Sequence, residues 1–206
     1  MAEPDTPKLY LITPAEIELS RFPDQLAAAL DAHETACLRL ALASHDEDRI
    51  ARMADACREV TRPRDVALVI DNHVMLVERL GLDGVHLTDG TRSVRSARKT
   101  LGPDAIVGAF CGTSRHDGMS AGEAGADYIS FGPAGVTSLG DGAQAEHELF
   151  DWWSQMIEVP VVAEGALDAE RIAALAPVTD FFAIGDEIWA SDDPLAELSR
   201  LAASMG

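Results

Sequence analysis

The feature that most constrains this chain is a beat. A short apolar segment is followed by a longer helical stretch, and the pair recurs eight times in 206 residues. The apolar segments fall at 9–12, 36–43, 66–70, 83–87, 105–111, 127–131, 160–163 and 178–184, and their β-branched and aromatic residues read as strands. Helical patterns follow at 24–31, 46–59, 74–80, 91–101, 119–124, 145–157, 168–175 and 194–203. The punctuation agrees: Thr13-Pro14 stops a strand, Gly81 suits a helix C-cap, Gly102-Pro103 stops a helix, and Asp168 suits an N-cap. Alternation at roughly 25 residues per unit fits a (β/α)8 TIM barrel of the α/β class better than a doubly wound open sheet, which is the runner-up. The chain is at the short end for a barrel. Residues 1–206 are therefore expected to form a single barrel domain with little insertion.

Charge and cysteine usage limit the function classes. Sixteen basic residues face 35 acidic ones, for a formal net charge of −19, so the footprint of a nucleic-acid binder is absent. No apolar run reaches membrane length, and Met-Ala-Glu-Pro-Asp at the start lacks the basic and apolar regions of a signal peptide. Cys37, Cys57 and Cys111 are scattered, odd in number and without metal-binding spacing. They read as reduced thiols of a cytoplasmic protein with no membrane and no nucleic-acid partner. The sequence assigns no oligomeric state.

In a barrel the chemistry sits at the strand C-termini. Those ends carry Thr13, Arg39, Asp71-Asn72, Thr88-Asp89, Ser114-Arg115-His116, Thr137-Ser138, Glu164-Gly165 and Gly185-Asp186. Arg39 interrupts an apolar strand, and a buried guanidinium requires an anionic partner, either a ligand or a barrel carboxylate. Asp71 and Asn72 are equally good N-caps for the following helix. His86 lies inside a strand, where a histidine is more often a hydrogen-bonded core residue than a ligand. His116, in a polar loop, titrates near neutral pH and suits acid/base work. The stretch from Gly125 to Gly140 runs from a buried strand into a loop of small residues, whose backbone N–H groups are expected to approach a ligand. Gly165 and Gly185 close the seventh and eighth strands, where many barrels hold a phosphate. Glu164, Asp186 and Glu187 stand beside them and would repel a phosphate unless turned away or neutralised.

Five motifs, in order and at fitting spacing, carry a family resemblance. They are Leu-Tyr-Leu-Ile-Thr at 9–13, Asp-Gly-Val-His-Leu at 83–87, Leu-Gly-Pro-Asp-Ala-Ile-Val-Gly at 101–108, Gly-Ala-Asp-Tyr-Ile-Ser-Phe-Gly-Pro at 125–133 and Pro-Val-Val-Ala at 160–163. Over nearly the whole chain the sequence resembles the thiamine phosphate synthase and thiazole tautomerase superfamily. The resemblance implies a (β/α)8 barrel, a role in thiamine biosynthesis and a small phosphorylated heterocycle as ligand. It implies a transferase that joins a pyrimidine methyl diphosphate to a thiazole phosphate, with Mg2+ holding the diphosphate. Carried onto this chain, it makes Asp71 the metal ligand and gives substrate contacts to Arg39, Asn72, Ser114, Thr137, Gly165 and Gly185, with Arg115 placed to reach across from the fifth loop; in the isomerase reading His116 is the catalytic acid/base.

Several diphosphate-site positions differ from the family pattern. The strand-two motif keeps only its arginine in Cys37-Leu38-Arg39-Leu40-Ala41. Asp71-Asn72 reverses the family order, and Thr88-Asp89-Gly90-Thr91 lacks the second metal carboxylate unless Asp89 reaches in. The family serine of strand five falls at Phe110 in one register and at Ser114 in another, of which the second places polar groups in the loop. Only Lys8 and Lys99 are lysines, and neither ends a strand. Positive charge for a departing diphosphate then rests on Arg39, or on Arg115 reaching across, and the expected turnover is low. Three readings stay open on residues alone: a divergent synthase using Mg2+, a tautomerase-like isomerase needing no metal, and a non-catalytic relative that binds a ligand or partner.

Overall fold

The computed structural model describes residues 6–136 and 142–206. Eight strands, β1 (Lys8–Ile12), β2 (Thr35–Leu40), β3 (Ala67–Asp71), β4 (Gly84–Leu87), β5 (Ile106–Phe110), β6 (Tyr128–Phe131), β7 (Val161–Glu164) and β8 (Phe181–Ile184), pair in parallel and in chain order. β8 returns to pair with β1, which closes the barrel. The helices are α1 (Phe22–Ala32), α2 (Glu47–Thr61), α3 (Val74–Leu80), α4 (Val94–Leu101), α5 (Arg115–Glu123), α6 (His147–Met156), α7 (Ala169–Leu175), α8 (Asp186–Trp189) and α9 (Pro194–Ala202). The expected TIM barrel is the observed fold, and the open sheet is excluded by closure.

Strand periodicity divides the apolar residues into two cores. Leu11, Leu38, Leu68, Val85, Ile129 and Phe182 face outward and pack with the helices, while Tyr10, Cys37, Val69, Tyr128, Val162 and Ala183 cluster inside the barrel. Gly108 has a definite reason to lack a side chain. A Cβ there would lie 2.0 Å from the Tyr128 ring, which crosses β5 to reach the barrel interior.

At the strand N-termini one carboxylate device recurs. Asp83, Asp127 and Asp180 each precede a strand and accept the N–H of a residue on the neighbouring strand: Leu68 at 2.7 Å, Val107 at 2.7 Å and Val161 at 2.8 Å. Each bond pins the register of a strand pair and satisfies a backbone donor at the barrel floor. Replacing Asp127 by alanine leaves the Val107 N–H unpaired and also removes the Arg98 ion pair. We expect a loss of about 2 kcal/mol in urea unfolding, in the range for hydrogen bonds to charged groups.

Local boundaries depart from the sequence reading where caps intervene. α5 begins four residues earlier than the expected 119, because Ser114 accepts the Asp117 N–H and caps it. α4 begins at Val94, so residues 91–93 belong to the loop after β4. Asp71 and Asn72 cap nothing: α3 starts after His73, and no side chain caps it. Gly81 and Asp168 cap as expected.

Candidate active site

The mouth of the barrel is built on Arg39. Parity along β2 turns Leu38 and Leu40 outward and leaves Arg39 inward, 7% exposed. Its Nη1 donates to Glu164 Oε2 at 2.7 Å, and its Nε lies 3.3 Å from Asp71 Oδ1. Both carboxylates terminate strands, β7 and β3, so one guanidinium ties opposite sides of the ring. Burial opposes charge on Arg39, but Glu164, Tyr10 and Asp71 outweigh it and hold the guanidinium firmly protonated. Asp71 is pushed up to about 6, because burial and the Glu164 charge together exceed the pull of Arg39.

Beneath Arg39 a hydrogen-bonded chain descends through the barrel. Register sets Asp71 beside His86, His86 beside Gly108, and Gly108 beside Tyr128. Arg39 Nη1 lies 2.8 Å from His86 Nε2, His86 Nδ1 lies 2.9 Å from Tyr128 Oη, and Tyr128 Oη lies 2.7 Å from Tyr10 Oη. A guanidinium only donates, so Nε2 accepts and the His86 proton sits on Nδ1, directed at Tyr128. Burial, then the Arg39 charge, pushes the His86 pKa well down, so the ring is neutral. His86 is thus a satisfied core histidine that fixes Arg39 from below, as expected for a histidine inside a strand.

Two clefts open at this end. One, of about 430 Å3, is lined by Thr13, Arg39, Glu164, Gly165, Gly185 and Glu187 among others. The other, of about 460 Å3, lies between the loops after β4 and β5 and is lined by Thr88, Asp89, Arg92, Phe110, Cys111 and Asp117 among others. Larger grooves exist at the strand N-termini, one of about 770 Å3. That groove, lined by Arg58, Arg62, Asp65, Glu78, Asp83 and Asp104 with apolar neighbours, contains none of Arg39, Asp71 and Glu164, so size does not locate the chemistry here.

The expected site residues divide accordingly. Arg39, Asp71, Gly165 and Gly185 come together at the mouth. Asn72 sits beside them with left-handed backbone (φ 58°), but its amide is occupied by Thr88: Nδ2 donates to Thr88 Oγ1 at 2.8 Å, and Oδ1 accepts the Thr88 N–H at 2.9 Å. Ser114, Arg115 and His116 line neither cleft. Ser114 is a helix cap, Arg115 donates to the Glu148 carbonyl and stacks 4.9 Å from the Trp152 ring centre, and His116 is exposed on α5. Phe110, from the other register of strand five, is the residue that reaches the mouth. Thr137 lies outside the described residues. Asp89 turns to Ser93, whose Oγ donates to it at 2.6 Å.

In the described part of the small-residue loop after β6, three N–H groups are already bonded within the protein. Gly132 N–H donates to Gly112, Ala134 N–H to Glu164 and Gly165, and Gly135 N–H to Gly165. Sequence reading misses Arg92. Its position in the 91–101 pattern suggests a helix surface, whereas it stands in the loop after β4, exposed and with no ionic partner among the described residues. The signal is present in Gly90, whose φ of 68° holds the loop open before the helix.

The family follows from the whole chain. Residues 9–186, which include every strand end of the mouth, match the family described as Thiamine monophosphate synthase. The chain belongs to that family. Among its curated members, the thiamine-phosphate synthase of Rhodospirillum centenum is 40% identical over 184 residues, covering 88% of this chain and 89% of that one. The thiamine-phosphate synthase of Erythrobacter litoralis is 36% identical, with 95% of each chain covered. Among solved structures, a thiamine phosphate pyrophosphorylase from Pyrococcus furiosus superposes with a TM-score of 0.82 at 22% identity, covering 98% of this chain and 96% of that one. At that identity the likeness speaks for the fold. Among the described residues no helix is long and apolar enough to cross a membrane, and the three cysteines are free and buried.

Proposed function

We propose that this protein is a thiamine phosphate synthase, joining a pyrimidine methyl diphosphate to a thiazole phosphate with release of diphosphate. The observation that carries the reading is the family match over 9–186, together with an arginine and two carboxylates converging inside the mouth that this match spans. Departure of diphosphate leaves a cationic pyrimidine, so the site must stabilise negative charge on the leaving group and positive charge on the heterocycle. Arg39 supplies the first and Glu164 the second. Arg92 adds the positive charge that a count restricted to Arg39 and Arg115 leaves out, from a cleft adjoining Asp71 through the Asn72–Thr88 bonds.

Mg2+ fits the residues present. Asp71 Oδ1 faces Arg39 Nε at 3.3 Å, and the side chain is still 21% exposed, so its second carboxylate oxygen is the one available to a hard cation. Among the described residues no cluster of three His, Cys, Asp or Glu side chains forms a metal cage, so Asp71 would hold the ion together with substrate phosphates. Bound there, Mg2+ supplies charge neutralisation for the diphosphate. Three buried free thiols support a reducing, cytoplasmic setting. The isomerase reading relied on His116 and loses its support, since that side chain faces neither cleft.

The test is 31P NMR of the protein with both substrates and excess Mg2+. Appearance of diphosphate in step with thiamine phosphate is the expected result; unchanged substrate signals would remove the proposal. In the same assay Arg92→Ala should raise KM for the pyrimidine diphosphate about tenfold, the loss of one exposed charge-assisted contact, while leaving KM for the thiazole phosphate unchanged.

A further inference from the structure

The loops after β7 and β8 meet over the 430 Å3 cleft, and a side chain of the protein already occupies their donors. After β7 the backbone passes through two successive left-handed residues, Gly165 (φ 86°) and Ala166 (φ 52°), before reaching Leu167. After β8 it turns at Gly185. Glu187 folds back across both loops: Oε1 accepts the Leu167 N–H at 3.2 Å and Oε2 accepts the Gly185 N–H at 2.8 Å. A carboxylate held by two backbone N–H groups from different loops is bound as an external anion would be. Arg39 lines the same cleft at 7% exposure, with its Nε paired to Asp71 Oδ1 at 3.3 Å and its Nη1 donating to Glu164 Oε2 at 2.7 Å.

We propose that Glu187 is a built-in stand-in anion that sets the phosphate affinity of this cleft, so that the phosphate of a ligand reaches these two loops only by displacing the Glu187 carboxylate. The proposal rests on the synthase reading for the identity of the phosphorylated ligand, the thiazole phosphate. The position of Glu187 reconciles two facts: the architecture suits a phosphate, and the cleft also carries Glu164, Asp186 and Glu187. With Glu187 in place, the donors are satisfied and the local charge is negative. With Glu187 swung out, the Leu167 and Gly185 N–H groups face the cleft together. The cost of moving Glu187 falls on every phosphorylated ligand, so weak anions, inorganic phosphate among them, are excluded from the cleft.

Calorimetry of the full-length protein with inorganic phosphate, thiazole phosphate and the unphosphorylated thiazole alcohol tests this. Glu187→Ala should bind both phosphates about tenfold tighter than wild type and bind the alcohol equally well. Glu187→Gln, which keeps the side-chain volume but has only one accepting atom, should show a smaller gain. It decides the matter if the alanine variant does not fold. Asp186→Asn is the control: Asp186 is exposed on the same cleft and its carboxylate accepts neither of the two N–H groups, so removing its charge should change phosphate affinity far less. Equal affinity in wild type and both Glu187 variants, or an equal gain in Asp186→Asn, overturns the proposal. A tighter Glu187 variant in a protein that makes no thiamine phosphate would keep Glu187 as the occupant of an anion site and remove only the synthase reading.

Discussion

Arg39→Met should destabilise the protein by about 3–5 kcal/mol in urea unfolding and eliminate synthase turnover. The stability loss follows from what stays behind: Asp71 and Glu164 remain beneath the surface without their cation, and His86 Nε2 loses its donor. Breaking a buried ion pair from one side has that cost because the surviving charges are desolvated and unpaired. The activity loss has another origin, the missing positive charge at the leaving group. The two effects separate in the triple variant Arg39→Met, Asp71→Asn, Glu164→Gln, which removes the orphaned charges together. Its stability should recover by a large part of the loss, whereas turnover should stay absent. Recovery of both would mean that none of Arg39, Asp71 and Glu164 is needed for turnover.

Asp71→Asn divides stability from activity in the opposite sense. Turnover should fall about a hundredfold or more, since the amide cannot serve as the anionic ligand for Mg2+, a loss comparable with removal of one preorganised electrostatic contact. Stability at pH 8 should not fall. The carboxyl of folded Asp71 is pushed up to about 6 against an ordinary 3.8, so the folded state binds the proton more tightly than the unfolded state. The favourable contribution is complete below about 3.8 and disappears as the pH rises through about 6, an interval worth up to about 3 kcal/mol. Wild-type stability should therefore carry a downward slope between those pH values that the Asp71→Asn variant lacks, as read from urea midpoints across the range. An upward slope in the wild type would show that the Arg39 pull dominates burial.

How much of this is legible in the sequence depends on whether the cause is local. The barrel is legible because each strand and helix declares itself within its own segment, and caps such as Gly81 and Asp168 act on adjacent residues. Arg39 is legible because a charge inside an apolar strand is conspicuous wherever the strand lies. Its partners need the closed ring. Glu164 is 125 positions away and meets Arg39 only through the tilt and stagger of the barrel strands. The Tyr10–Tyr128 bond, across 118 positions, also depends on Gly108 leaving room for a ring. Arg92 is misplaced because residues 91–93 run directly into the helical pattern, and only the backbone shows that the helix starts at Val94. Glu187 belongs to a helix of four residues, too short to leave a periodic pattern. The loop at 132–135 illustrates the remaining gap: its small residues are visible in sequence, but the carbonyls that take up its N–H groups belong to other strands' loops.

The most direct test of where this protein works is a crystal structure with thiazole phosphate, diphosphate and Mg2+. The expected result is all three at the C-terminal mouth, with Mg2+ on Asp71, diphosphate near Arg39 and Arg92, and the thiazole phosphate on the Leu167 and Gly185 N–H groups with Glu187 turned away. Ligands seated instead in the larger groove around Arg62 and Asp104 at the opposite end of the barrel, or a mouth left empty at saturating concentrations, would contradict the account.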